Sequence, residues 1–487
     1  MELSELKELL NDPKKLVDKI KAIAPVLPDY IFDIDPETHK VVKDLQYRPF
    51  RDVDVPTGLV DAQGNPTYRT EQRDVHRIPS DTQKIIIDWS VRMALSGGIE
   101  REYGIRESVV SDQVMADMID RTWEDNKLDY VCQKIDRLKK TYTQCLVVWY
   151  SVEAEEGFWE GISNLSTFKM RCVLLSPEDG DLIIPIVDQY KDFIGAGREY
   201  TVLIDDKEVN KLDLYLSDKY ITYREDNGGW IEEKSTDIKY GKANFVFHGM
   251  KKPVYAGVKA KIERVEEGDS DTADENQISS FPILAASGQI TGKSGGSKQN
   301  TRKVFELADG GDLKYVEAKG AQQSAVEERK NLREDIYEET STPKVSIESV
   351  TGSGIGSSGV AIELGFLPAT NNARSQQEGD LGMEWQRHLN FLKSAMAVLN
   401  VTVKPSISMP VKPKFKIQLP RNLTEEYDRV ISLVTANLMS TRTGVATLGY
   451  TEDVDAEILA IEEEVAKRAK TALELAQKSK PKQEENV

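Results

Sequence analysis

Gly352, Gly354, Gly356 and Gly359 fall within eight residues, and a glycine run of this kind can bring backbone N–H groups up to a phosphate. The last three match G-x-G-x-x-G, and VSIESV before them has strand composition. A dinucleotide-binding turn also needs a following helix, a second parallel strand and an acidic residue about 20 positions on. Here Gly365 and Pro368 are expected to interrupt the next helix early, and a helical stripe occupies the place of the second strand. A second phosphate motif, GQITGKS at 288–294, fails on spacing: Gly288 is one residue too close to Gly292-Lys293-Ser294, and position 287 is Ser. Asp269, Asp271, Asp274 and Glu275 form an acidic cluster. A calcium loop counted from Asp269 would want Gly where Asp274 stands and Glu where Ser280 stands, so the cluster is read as a solvated helix start. The three cysteines (Cys132, Cys145, Cys172) and four histidines (His39, His76, His248, His388) show no metal-ligand spacing and no catalytic dyad. No catalytic residue, metal or cofactor is expected.

Composition narrows the class. The chain has 487 residues, long enough for two to four domains, with 64 basic against 82 acidic side chains and a net charge of -18. That balance argues against a tight, free-standing nucleic-acid binder. No apolar run reaches the length of a membrane span, and MELSELKELLNDPKK lacks the apolar core of a signal peptide, so no membrane association is expected. Three widely spaced cysteines fit buried thiols in a reducing compartment.

The elements follow from pattern. Residues 1–24 read as one short helix stopped by Pro25 and Pro28, and 29–80 as an irregular, strand-poor arm with a QGNP turn at 63–66. A helix runs from the Asp81 N-cap to Gly97-Gly98, and two more are expected to break at Asp125-Asn126. CLVVWYSVE begins a β-rich region that continues to about residue 250. Residues 254–281 are helical with a break foreseen at Gly268; strands in FPILAASGQITG and VFELADGGDLKYVEAKG flank a polar, basic loop, KSGGSKQNTRK at 293–303; and 320–341 is helical again. In the run ending EWQRHLNFLKSAMAVLN, Trp385, Leu389, Leu392, Met396 and Leu399 recur at spacings of four, three, four and three, one apolar stripe of a helix. Residues 401–421 read as extended, 425–440 and 454–477 as two helices, and the tail KSKPKQEENV as disordered. The fold class is α+β.

This order of elements resembles the portal proteins of tailed bacteriophages, over roughly residues 80–470. Four passages carry the resemblance: DTQKIIIDWSVRMALSGG, LSPEDGDLIIPIVDQYKDFIGAGREY, the segment GDLKYVEAKG…LREDIYEETSTPKVS…SSGVAIELGF, and LMSTRTGVATLGYTEDVDAEILAIEEEVAKR. The resemblance implies a portal fold: a mixed α/β wing at 81–253, stem helices at 254–281 and 320–345, a small α/β clip at 282–319, a tunnel loop at 346–359, a long tunnel helix with further wing at 360–421, and a helical crown at 422–477, with 478–487 a tail. Residues 1–80, a helix and arm, match nothing in it. It further implies a ring of about twelve subunits at one capsid vertex of the virion, assembled in the host cytoplasm. Such a head–tail connector is a conduit for double-stranded DNA in packaging and ejection. Its implied partners are the terminase large subunit, the major capsid protein and scaffold, and a head–tail adaptor.

Within that frame Thr351, Ser353, Ile355, Ser357 and Ser358 are expected to line the channel, uncharged so that passing phosphates are not trapped. Lys293, Lys298, Arg302 and Lys303 are expected to face clip partners, and Trp385, Leu389 and Leu392 to serve the subunit interface. Two other classes remain open at this stage: a nucleotide-using enzyme built on the glycine run, and a non-viral ring-forming scaffold. Nucleotide affinity separates the first from a portal, and the width of any central hole separates the second.

Overall fold

Pro13 divides the amino-terminal run in two, correcting the single expected helix: α1 is Leu3–Leu9 and α2 is Pro13–Ala22. Asp12 caps α2, its side chain accepting from the backbone N–H of Lys15, and Pro13 takes the first helical position, where its missing N–H costs nothing. The computed structural model describes residues 3–64, 66–162, 166–279, 283–287, 290–294, 304–307, 312–316, 321–344, 359–418, 423–451 and 453–478. The chain is mixed α+β and forms two units, one of residues 1–343 and 368–418, the other of 344–367 and 419–487.

In the first unit the arm is not strand-poor. After the one-turn α3 (Lys40–Lys43), β1 (Arg51–Val60) and β2 (Pro66–Arg73) pair as an antiparallel ribbon, with Gln63 and Gly64 in the turn between them. Then α4 (Thr82–Leu95) ends at Gly98, which takes a φ of 69°, a conformation open to glycine at little cost. β3 (Ile99–Tyr103), α5 (Ser111–Asp125) and α6 (Leu128–Tyr142) follow, the last two broken where the sequence placed the break.

The β-rich region forms two antiparallel sheets. β4 (Gln144–Glu153) lies between β5 (Phe168–Leu175) and β11 (Phe245–Gly249). The other sheet is a meander in the order β10-β9-β8-β7-β6, from β6 (Leu182–Val187), β7 (Phe193–Ile204), β8 (Lys207–Leu216), β9 (Lys219–Asp226) and β10 (Gly229–Asp237). The period of two gives this sheet two apolar faces. Ile184, Leu212, Leu214 and Ile221 pack beneath Leu6, Leu16, Val17 and Ile20 of α1 and α2. Ile183, Ala196 and Tyr215 on the opposite face pack against Leu146, Val148, Leu175 and Phe245. Residues 1–24 therefore cover a sheet face that would otherwise meet water.

α7 (Lys259–Ser279) runs unbroken through Gly268, contrary to the break foreseen there. Beyond it β12 (Ile283–Ser287) pairs with β15 (Asp312–Val316), and β13 (Ile290–Ser294) with β14 (Val304–Leu307), one hairpin nested inside the other. α8 is Ala321–Glu339. α9 (Gly359–Glu378) runs through Gly365 and Pro368, so neither interrupts it. The bend comes instead at Gly379, before α10 (Asp380–Leu399). Gly382 is required there: a Cβ on it would lie 2.3 Å from the carbonyl oxygen of Gln377. Residues 401–408 form a 3-10 helix rather than extended chain, and β16 (Val411–Phe415) pairs with β3.

The second unit ends in three helices where the sequence showed two: α11 (Leu423–Thr435), α12 (Thr441–Leu448) and α13 (Val454–Lys478). α12 starts at Ser440, whose side chain accepts from Thr443 N–H, and it packs on α11 where Gly444 leaves no room for a side chain against Val434. The tail 479–487 lies outside the described residues.

Candidate functional site

Thr351, Ser353, Ile355, Ser357 and Ser358 lie outside the described residues, as do Lys298, Arg302 and Lys303. Lys293 stands on β13, in register with Phe305 of β14. Trp385, Leu389 and Leu392 are placed clearly, and not at a subunit interface. All three are fully buried inside this chain, with Met396 beside them, so none of the three has surface left for a neighbour. The spacing identified a helix correctly; it cannot say which body covers the stripe.

What the fold does assemble is α7, held on both sides. Toward α8, Lys261 pairs with Asp335 and Glu339 at 3.0 and 2.7 Å, and Arg264 with Glu328 at 3.0 Å. Arg329 donates to the carbonyl oxygen of Gly268 at 2.7 Å, lying over the glycine where a side chain would collide with it. Toward the arm, Arg48 is bidentate across one helical turn, Nη1 on Asp271 at 2.7 Å and Nη2 on Asp274 at 2.6 Å, while its Nε donates to the carbonyl of His76. The acidic cluster is thus a clamp in mid-helix, not a solvated start. Ser270 Oγ accepts from Ile78 N–H, and Glu266 accepts from the backbone and hydroxyl of Ser80.

His39 completes the arm's attachment. Its Nδ1 meets Glu266 at 2.7 Å and its Nε2 meets the carbonyl oxygen of Asp33 at 2.8 Å. Both partners only accept, so both ring nitrogens carry protons and the ring is a cation. Burial opposes that charge, but the Glu266 carboxylate outweighs it and the His39 pKa lies above the ordinary histidine value. A raised folded pKa adds stability that is complete below the unfolded value of about 6.5 and is lost as pH rises through the folded one. His39→Gln is therefore expected to lower the urea midpoint more at about pH 5.5 than at about pH 9. An equal loss at both would mean a neutral ring.

A second buried network ties α10 to the sheet. Lys139 Nζ lies 2.7 Å from Glu384, whose other oxygen accepts from His248 Nδ1 at 2.9 Å. His248 Nε2 lies 2.9 Å from His388 Nε2, and Trp149 Nε1 donates to His388 Nδ1 at 3.0 Å. One set of protons satisfies this chain. The indole N–H makes His388 Nδ1 an acceptor, so Nε2 carries the only proton of that ring and donates to His248 Nε2. His248 then carries its proton on Nδ1 and donates to Glu384. Burial holds His388 well below the ordinary histidine range. Burial raises the Glu384 pKa, but His248 and Lys139 together hold it below the usual carboxylate value.

A cleft of about 470 Å3 opens beside this network, between Lys140, Glu339, Gln376 and Asp380. Its two buried cations are compensated: Lys139 pairs with Glu384 at 2.7 Å and Lys140 with Asp136 at 2.6 Å. Among the described residues no group of acidic, histidine or cysteine side chains is placed to hold a metal ion. The strand pairings there are all antiparallel, which leaves no parallel β-α-β unit to accompany the glycine run. No described helix is long and apolar enough to cross a membrane.

The clamp residues were not legible in advance, because Arg48 and His39 stand more than two hundred positions from their partners on α7. The surplus of charge on 259–279 was the available signal.

No curated protein matches the chain. Two solved structures are similar to it at 11% identity, each covered over 96% of its length by 78% of this chain: "Neck of empty GTA particle computed with C6 symmetry", at a TM-score of 0.37, and "Neck of native GTA particle computed with C12 symmetry", at 0.36. A family model described as phage portal protein, SPP1 Gp6-like, matches residues 39–471. That match spans the clamp, the nested hairpins, the glycine run and the terminal helices, and the chain belongs to this family of phage portal proteins.

Proposed function

We propose that the chain closes into a ring of about twelve copies at one capsid vertex and conducts double-stranded DNA during packaging and ejection. The family match over 39–471 carries this reading. In it α7 and α8 form the stem, and the nested hairpins between them form the clip that meets the terminase large subunit and later a head–tail adaptor. Residues 346–359 form the tunnel loop, 360–400 the tunnel helices, and 422–477 the crown. The sheets of 81–253 form the wing, toward the major capsid protein and scaffold. The protein is a structural part of the particle and catalyses nothing itself.

Two features support the assignment. The ion pairs along α7 and α8 hold two long helices as one rod, as a wall under load requires. The net charge of -18 keeps phosphate contacts few, and each phosphate neutralised would add salt-dependent affinity that slows passage. Electron-microscope images of the purified protein should show closed rings with a hole wide enough for a B-form duplex. Rings carrying Ser353→Lys and Ser357→Lys should assemble normally yet package DNA slowly. Particles without a hole would sink the conduit; normal packaging by the lysine variant would remove 351–358 from its wall.

A further inference from the structure

The β1–β2 ribbon is pinned at its root and bare along its length. Its two ends are fixed at one place, Arg48 before β1 and His76 after β2, both bound to Asp274 of α7. Arg77 donates to the carbonyl of Arg48 and lies over the Phe50 ring, tying the two ends together. Beyond that root no strand residue with a described side chain is buried, and Leu59 and Val60 at the tip are 70% and 66% exposed. A two-stranded ribbon standing in water is marginal and leaves both edges unpaired. A rigid root with a bare arm implies another body along the arm.

Charge identifies that body. In the register Arg51↔Arg73, Val53↔Glu71 and Val55↔Arg69, one face of the ribbon carries three arginines against one glutamate. The opposite face, through Asp52↔Gln72 and Asp54↔Thr70, carries two aspartates. The arginine face is a basic patch on a strongly acidic chain, and its complement is present on the chain itself. Glu327, Asn331, Glu334 and Glu338 recur at spacings of four, three and four along α8 and are all exposed, with Lys330 the cation bordering them. The opposite side of α8 faces α7 through Glu328, Arg329, Asp335 and Ile336.

The two surfaces stand on opposite sides of one rod at one height. α7 gives residues 266, 270, 271 and 274 to the arm and 261, 264, 268 and 269 to α8. Arm, α7 and α8 therefore follow one another across the molecule, and the root at Asp274 lies near the level where Arg329 of α8 meets Thr272. α7 lies between the root of the ribbon and the α8 of its own chain. A ring requires each copy to offer two different surfaces, one to each neighbour. We infer that the arginine face of the ribbon lies on the outer acidic stripe of α8 in a second copy of this chain, strapping adjacent subunits together. This rests on the ring proposed above.

Charge reversal tests it. One variant carries R51E, R69E and R73E; a second carries E327K, E334K and E338K; a third carries all six. All the changes are at exposed positions, and thermal melting of dissociated subunits checks that each variant folds. Wild-type rings are followed by analytical ultracentrifugation against dilution and salt. Each single-surface variant is expected to dissociate at a concentration about tenfold higher than wild type, and the six-fold variant to recover most of that loss. Rings of either three-fold variant as stable as wild type would overturn the inference while leaving the ring reading intact, as would a loss that the six-fold variant does not recover. A wild-type chain that stays monomeric would overturn both.

Discussion

Replacing Glu384 with alanine is expected to cost the fold about 3–5 kcal/mol, the usual penalty for removing one partner of a buried ion pair. The carboxylate is the only acid described between Lys139 and His248, at 2.7 and 2.9 Å, and the Lys139 side chain is 8% exposed. Without it a buried ammonium and a buried imidazole N–H lose their acceptor together. The shortfall should appear as a lowered urea midpoint for the unit that contains 1–343. Pairing the change with Lys139→Met should recover much of it, since two apolar groups need no partner. The contribution also has a pH signature. The Glu384 pKa is depressed in the folded chain, so its stabilisation is present above the unfolded value of about 4.3 and fades as pH falls through the folded one. The gap between wild type and Glu384→Ala should therefore narrow in acid. A gap that is absent at neutral pH, or that widens in acid, would rule out this account of the network.

Trp385→Ala is expected to cost about 3–5 kcal/mol, as for other fully buried tryptophans. The ring is completely enclosed, with its centroid 5.4 Å from that of Trp123 and 4.7 Å from that of His388. Trp385→Phe should cost far less. The indole nitrogen is buried without a hydrogen-bond partner among the described residues, so the smaller ring gives up volume but no polar contact. The variant also tests placement. A core residue destabilises the dissociated subunit, whereas an interface residue would weaken only the ring. A Trp385→Ala subunit that melts like wild type while its rings fall apart would restore the stripe to the interface.

The two networks place opposite demands on pH. His39 must be charged to hold the arm on α7, and His388 must be neutral to accept from Trp149. His388, with its folded pKa depressed, contributes stability above the unfolded value that is lost as pH falls, the reverse of His39. Neither state could be assigned from sequence, where the four histidines look alike. The ring's partners decide: two acceptors for His39, a donor and a second imidazole for His388.

The sequence by itself determined the local elements and their order. The 3.6 and 2.0 periods are properties of neighbouring residues, so α4, α5, α6, α10 and the strands of 144–226 were legible, as were the break at Asp125-Asn126 and the class of fold. The order of elements was enough to show the family resemblance, which the match over 39–471 bears out. The tertiary structure alone decided which surface each stripe meets. Trp385, Leu389 and Leu392 are a helix face in either case, and only packing shows that the chain buries them itself. Packing also decided that α9 passes through Gly365 and Pro368: Phe366, Ala369, Thr370 and Ala373 are buried along it, set against the roughly 3 kcal/mol cost of a helical proline. The acidic cluster on α7 became a clamp only when the fold brought Arg48 to it across more than two hundred residues, a contact that no local pattern encodes.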